Sequence, residues 1–223
     1  MGSEMCIRDR CYCSRAICNN AVSSNAICDY SVNFIQGVGM NKALINIDYT
    51  NDFVASDGSL TVGEPAQKLE KRITEISQEF LDAGEFVVFA IDTHHLNDPY
   101  HPETKLFPPH NIAGTHGQKL YGALGDFYEE NKDKSNVYYI HKTRYSSFNG
   151  TDLLIKLRER HIEELHLVGV CTDICVLHTA VDAYNLGFKI VVHKDAVASF
   201  DPQGHEWALR HFKTCLNADI VEG

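Results

Sequence analysis

Six short apolar runs recur along this chain, at 43–47, 86–91, 137–141, 165–170, 188–193 and 218–221. Runs of this length without a polar face suit strands buried on both sides. Helical stretches separate them. Leu69, Ile73, Ile76 and Phe80 fall at helical spacing after Pro65 and before Gly84. Residues 118–130 read as a short helix. Thr151, after the Asn149-Gly150 turn, is placed to cap a helix carrying Leu153, Leu154 and Leu157. Thr172 or Asp173 is placed to cap another that reaches Leu186 and stops at Gly187. Asp201-Pro202 opens a last one through Leu216. Alternating strands and helices predict an α/β fold: a single doubly wound domain with a mostly parallel six-stranded sheet and helices on both faces. The 223 residues suit one such domain, and there is no internal repeat.

Residues 1–39 lack either periodicity and read as a disordered or artefactual N-terminal extension, its opening MGSEMCIRDR resembling adaptor sequence. Met40 reads as the natural start, so the domain is expected over 40–223. Cys6, Cys11, Cys13, Cys18 and Cys28 crowd that extension without a paired CxxC knuckle, so metal binding there is disfavoured. No disulfide framework spans the domain, and no apolar leader opens the chain; both point to a reducing cytoplasm. The chain ends abruptly after the sixth run, as if a few residues were missing. A formal net charge of -10 argues against nucleic acid or an anionic membrane as partner. No stretch approaches the ~20 apolar residues of a membrane span.

In a parallel sheet the carboxyl ends of the strands share one rim, where ligands bind. Asp48 follows the first run, Asp92 and His94 the second, Lys142 the third, and Cys171 and Cys175 the fourth. Cys175 falls in the first turn of a predicted helix, whose free N–H groups and dipole favour a thiolate. Lys142 nearby should lower the thiol pKa further. Asp48 is placed to take the thiol proton and return it to a leaving amine. A buried, inert cysteine is the bland alternative. It accounts for Cys215; at Cys175 it leaves the Lys and Asp unexplained.

A proline-rich loop follows the second run, with Pro99, Pro102, Pro108 and Pro109. Asp92 and His94 precede it, and Glu103 and His110 lie in it. Two His and two carboxylates suit one divalent ion, Zn²⁺ first, with Fe²⁺ or Mn²⁺ as alternatives. His95, His101 and His116 are alternates in the same loop. Phe53, Phe107 and Tyr145 lie near the strand ends and suit the walls of a flat aromatic pocket, although ordinary core packing explains each as well.

The segments ALINIDYTNDFV, FAIDTHH, HPETKLFPPHNIAGTHG, YYIHKTRYSSF and HLVGVCTDICVLHTAVDA together resemble the nicotinamidase and pyrazinamidase branch of the isochorismatase-like cysteine hydrolases. The likeness covers nearly all of the domain in the family's order. It implies Asp48, Lys142 and Cys175 as a catalytic triad and Asp92, His94, Glu103 and His110 as metal ligands. It implies Phe53 and Tyr145 beside a pyridine ring, with Phe107 close by. It also implies a cis peptide before Cys171, with the Cys171 and Cys175 N–H groups as an oxyanion hole. The implied activity is hydrolysis of nicotinamide to nicotinate and ammonia through a Cys175 thioester, in NAD salvage. Nicotinamide is then the small-molecule partner, and a homo-oligomer is left open. Asn111 departs from the cysteine that many relatives carry there, and Cys171 from a frequent alanine.

Three rivals remain. Another small amide, carbamoyl or ureido substrate keeps the family but leaves the DTHH and FPPH segments without use. A catalytically inactive metal-binding scaffold leaves the complete triad unexplained. A dinucleotide binder needs its glycines after the first strand, whereas Gly37 and Gly39 precede it.

Overall fold

The computed structural model describes residues 41–223. The readings of the N-terminal extension, its cysteines and the start at Met40 lie outside the described residues. Six strands form one sheet in the order β3-β2-β1-β4-β5-β6: β1 Asn41–Ile47, β2 Phe86–Asp92, β3 Val137–Lys142, β4 Ile162–Val170, β5 Lys189–Ala198 and β6 Asp219–Val221. All five pairings are parallel, so the sheet is wholly rather than mostly parallel. Every residue of β2 is buried, as expected of a strand covered on both faces.

Alternation along β1 divides the core. Ala43, Ile45 and Ile47 face a cluster with Leu153 and Leu157 of α5 (Leu153–Glu159), Ala180 of α6 (Leu177–Asn185) and Phe212 of α7 (Pro202–Cys215). Leu44 faces the other cluster, with Ile73 and Ile76 of α3 (Glu70–Asp82) and Leu124 of α4 (Gly122–Asn131). Each such side chain contributes about 1.5–3 kcal/mol on burial. Helices thus cover both faces, as the alternation of runs demanded.

Local details differ from expectation. The helix expected from Pro65 is two, α2 (Glu64–Gln67) and α3, with Lys68 as the C-cap of the first and Leu69 as the N-cap of the second. A short helix α1 (Asn51–Val54), too brief to show periodicity, follows β1. Asp152 sits at the start of α5 without a side-chain cap, and Thr151 Oγ1, one residue earlier, accepts the Leu153 N–H at 3.3 Å, as expected of a capping residue. Neither Thr172 nor Asp173 caps α6, whose N-cap position is Val176. Both lie within a π-turn, Thr172–Val176, entered from Cys171. Their side chains instead reach His205 Nδ1 at 2.8 Å and Ser199 Oγ at 2.6 Å, tying the turn to α7 and to the end of β5. Asp201 does cap α7, accepting from the Gln203 N–H at 3.0 Å. Cys215 is exposed rather than buried, at the last turn of α7. No helix among the described residues is long and apolar enough to cross a membrane.

β1 and β4 are neighbours at the point where the strand order reverses, which opens a crevice at their carboxyl ends. Gly169 lets them approach there. Its φ is 115°, and a Cβ on it would lie 2.0 Å from the Ile47 carbonyl oxygen, one residue before Asp48. Gly169→Ala therefore combines backbone strain with a clash against the backbone. We expect a loss of about 3 kcal/mol or more in urea unfolding; a loss under about 1 kcal/mol would contradict this packing.

Candidate active site

Four strand ends converge at that crevice. Asp48 leaves β1 with a φ of 55° and is fully buried. Its Oδ1 accepts the Asp92 N–H at 2.7 Å, joining the end of β1 to the end of β2. Lys142 ends β3 and is also fully buried. Its Nζ lies 2.7 Å from Asp48 Oδ2, 3.6 Å from Asp92 Oδ1 and 3.6 Å from Cys175 Sγ. Asp48 Oδ2 has no other polar partner among the described residues, and a carboxylate oxygen carries two lone pairs, so one stays free to accept. An ammonium buried this deeply is tolerable only because two carboxylates face it.

Burial sets the protonation of this group. It pushes the Asp48 carboxyl up to about 6, against the pull of Lys142 and with the push of Asp92. Burial also opposes the charge on Lys142, but Asp48, Cys175 and Asp92 outweigh it and hold the ammonium charged. Burial drives the Cys175 thiol well above its ordinary range; Lys142 opposes this, while Asp48 and Asp92 reinforce it. Here the structure corrects the sequence expectation of a lowered thiol pKa. A cysteine 7 % exposed beside two carboxylates rests as the thiol, and its proton needs an acceptor.

The second cluster adjoins the first through Asp92. Asp92, His94, Glu103 and His110 are all buried, and their ligand-capable atoms lie within 4.8 Å of one another. His94 Nε2 is 2.6 Å from Asp92 Oδ2, and His110 Nε2 is 3.4 Å from it. Glu103 Oε2 is 3.6 Å from His110 Nε2. His110 Nδ1 donates to the Pro108 carbonyl at 2.8 Å, so the Pro108-Pro109 turn aims Nε2 at the cluster. That Nε2 has no hydrogen-bond partner among the described residues, although it is buried. Burial works against the Asp92 carboxylate, yet Lys142 and the two histidines hold it well below the usual range. Two imidazoles and two carboxylates with an orphaned ring nitrogen fit a divalent cation. The alternates do not join them. His95 and His116 are exposed. His101 is buried, but its Nε2 bonds the Thr143 carbonyl at 2.7 Å and its Nδ1 accepts the Glu103 N–H at 3.3 Å.

One cleft joins both clusters. Phe53, Phe107 and Tyr145 line it together with Asp92, Glu103, Cys171 and Cys175. Phe53 and Phe107 meet the His110 ring edge-on, with centroids 5.3 and 6.1 Å apart. Burial, then Glu103, pushes the Tyr145 hydroxyl up to about 12, so it stays a donor. Leu60, Ile174 and Phe200 complete the lining and escaped the sequence reading. Ile174 had a usable signal, since it lies next to Cys175 in the segment after β4; Phe200 had none, because β5 runs to Ala198, well past the expected strand end, and Leu60 had none either. The Val170-Cys171 peptide is cis, as the resemblance implied.

Residues 42–221 match the Isochorismatase domain. The chain belongs to the isochorismatase family. Within the family it is 63 % identical over 183 residues to PncA of Bacillus subtilis (strain 168), described as an uncharacterized isochorismatase family protein; the match covers 82 % of this chain and all (100 %) of that one. The crystal structure of nicotinamidase/pyrazinamidase PncA from Bacillus subtilis superimposes with a TM-score of 0.81 at 62 % identity, over 82 % of this chain and 100 % of that chain. The pyrazinamidase of Pyrococcus horikoshii in complex with zinc gives a TM-score of 0.72 at 29 % identity, over 82 % and 99 %. This isochorismatase-family chain is an amidohydrolase.

Four ligand-capable side chains converging from a strand end and one loop predict a single metal equivalent. His94→Ala should lower bound Zn²⁺ well below one per chain by elemental analysis, with the far-ultraviolet circular dichroism unchanged. Unaltered stoichiometry would remove His94 from the ligand set.

Proposed function

We propose that this amidohydrolase cleaves the carboxamide of nicotinamide, giving nicotinate and ammonia through a thioester on Cys175. One observation carries the reading. A cleft walled by Phe53, Phe107 and Tyr145 brings the thiol of Cys175 to the same space as Asp92 and Glu103 of the metal-capable cluster. A flat ring carrying one ligating nitrogen and one carboxamide meets both ends of such a site. The similar structures are of a nicotinamidase/pyrazinamidase and a pyrazinamidase, which supports the same substrate class.

Asp92, His94, Glu103 and His110 would hold the ion, most simply Zn²⁺, which when bound supplies a Lewis-acid anchor for the pyridine nitrogen. The aromatic walls then fix the ring plane, so that the carboxamide carbon lies in reach of Sγ. Asp48 Oδ2, with its free lone pair, takes the thiol proton as sulfur adds to the carbon. Lys142 stays charged and balances the negative charge that moves between sulfur and the carboxylates. The N–H groups of Cys171 and Cys175 receive the charge developing on oxygen, a task worth about 3 kcal/mol per donor. Asp48 hands its proton to the amine as the C–N bond breaks, and ammonia leaves. A water molecule then adds to the thioester while Asp48 takes one of its protons. The C–S bond breaks, the proton returns to sulfur and nicotinate is released. The product class suits reclamation of pyridine rings for NAD synthesis, and thiols left free at Cys171 and Cys175 suit a reducing cytoplasm.

Cys175→Ala should abolish ammonia release from nicotinamide while the protein stays folded and metal-loaded; turnover near wild type would overturn the nucleophile. If wild type releases none, carbamoyl and ureido substrates become the leading class.

The pH profile has a definite sign. Asp48 must be ionised to accept the thiol proton, and burial holds its carboxyl at about 6. Below that pH the group is protonated and cannot act, so kcat/KM should fall about tenfold per unit as pH drops below 6. A profile flat down to pH 5 would count against Asp48 as the base.

A further inference from the structure

Asp52, next to the pocket wall Phe53 and outside both clusters, takes no part in the mechanism above, yet two loops, at Ser59 and at Asn111 to Gly117, meet on its carboxylate. Oδ2 accepts the Asn111 N–H at 2.7 Å and Oδ1 accepts the Ser59 N–H at 3.2 Å. The Asp52 N–H in turn donates to the Gly117 carbonyl at 2.9 Å. Gly117 packs so tightly that a Cβ there would lie 2.1 Å from Asp52 Oδ2 and 2.3 Å from its Cγ. The carboxylate is thus held between the backbone of Asn111 and that of Gly117.

Asn111 carries the consequence to the metal-capable cluster. It directly follows His110, is fully buried and has a φ of 44°. Its carbonyl accepts the His94 N–H at 3.0 Å, and the His94 carbonyl accepts the Ala113 N–H at 2.9 Å. Its side-chain Oδ1 accepts from Thr50 Oγ1 at 2.9 Å. Through Asn111, the backbone of one candidate ligand, His94, is paired to the residue beside the other, His110. That paired unit is anchored to α1 by one charge-assisted bond, from Asn111 to Asp52.

We infer that Asp52 is a positioning residue for the metal centre: its carboxylate, clamped against Gly117, holds Asn111 and so sets where His94 and His110 present their nitrogens. The inference rests on the reading of Asp92, His94, Glu103 and His110 as ligands. It needs nothing from the choice of amide substrate. Outer partners of ligating histidines typically carry 10–100-fold in metal affinity.

The test measures Zn²⁺ affinity of metal-free full-length protein by competition with a chromophoric chelator, with thermal midpoints recorded alongside. Asp52→Ala should raise the Zn²⁺ Kd about tenfold or more. Asp52→Asn keeps one acceptor oxygen and should raise it less. Gly117→Ala should weaken Zn²⁺ binding from the other side, because its Cβ displaces the carboxylate. In the double variant that Cβ meets no carboxylate, so Asp52→Ala with Gly117→Ala should bind Zn²⁺ as Asp52→Ala alone does. If Asp52→Ala fails to fold, Asp52→Asn and Gly117→Ala carry the test. A lowered midpoint with Zn²⁺ Kd within twofold of wild type would reduce Asp52 to a purely structural role and overturn the inference. Additive losses in the double variant would overturn it too. Wild type that binds no Zn²⁺ would overturn the ligand reading and this inference with it, whereas failure to hydrolyse nicotinamide would touch only the substrate.

Discussion

A single buried ammonium organises this molecule. Lys142 has no exposure to water, so its charge must be balanced inside the protein. Asp48 and Asp92 do this from two other strands. The register of the sheet follows, because Asp92 pairs with Lys142 across β2 and β3 while Asp48 reaches over from β1. Removing either carboxylate would leave part of a buried charge uncompensated, which typically costs about 3–5 kcal/mol. The same arrangement that endangers stability creates chemistry, since it leaves one carboxylate oxygen and one thiol in contact with the ammonium and with little water.

Asp92 links the two halves of the site. Its Oδ1 faces Lys142, and its Oδ2 faces His94 and His110. The Asp48, Lys142 and Cys175 group and the metal-capable cluster therefore form one electrostatic unit. A change in charge at either end must be felt at the other through a single side chain. This explains why burial alone does not decide the protonation of Asp92, which stays ionised when Asp48 beside it is pushed up.

Much of this was legible in the residues. The six apolar runs fall on the six strands because a strand covered on both faces needs apolar residues throughout. The rule that ligands sit at carboxyl strand ends then gathered Asp48, Asp92, Lys142 and Cys175, and the structure brings them within a few ångströms. Short or irregular elements were not legible. Helix α1 has four residues, fewer than periodicity needs, and the π-turn at Cys175 has no pattern of its own. β5 runs to Ala198, past the polar Lys194 and Asp195 that ended the expected strand. Asp195 is held there by Arg72 of α3 at 2.9 Å, a partner distant in sequence.

The sequence by itself determined the class of fold, the order of its elements and the residue types delivered to one rim, because periodicity and strand polarity are local properties. Tertiary structure decided what those residues do electrostatically. A thiol at a helix start reads as activated, but burial among carboxylates pushes its pKa up and makes it a resting thiol. The sequence offered His94 and His110 as ligands but left His95, His101 and His116 as alternates; hydrogen bonds and exposure set the alternates apart. Desolvation and the pairing of distant polar groups exist only once the chain has closed around them, so no local pattern could have carried them.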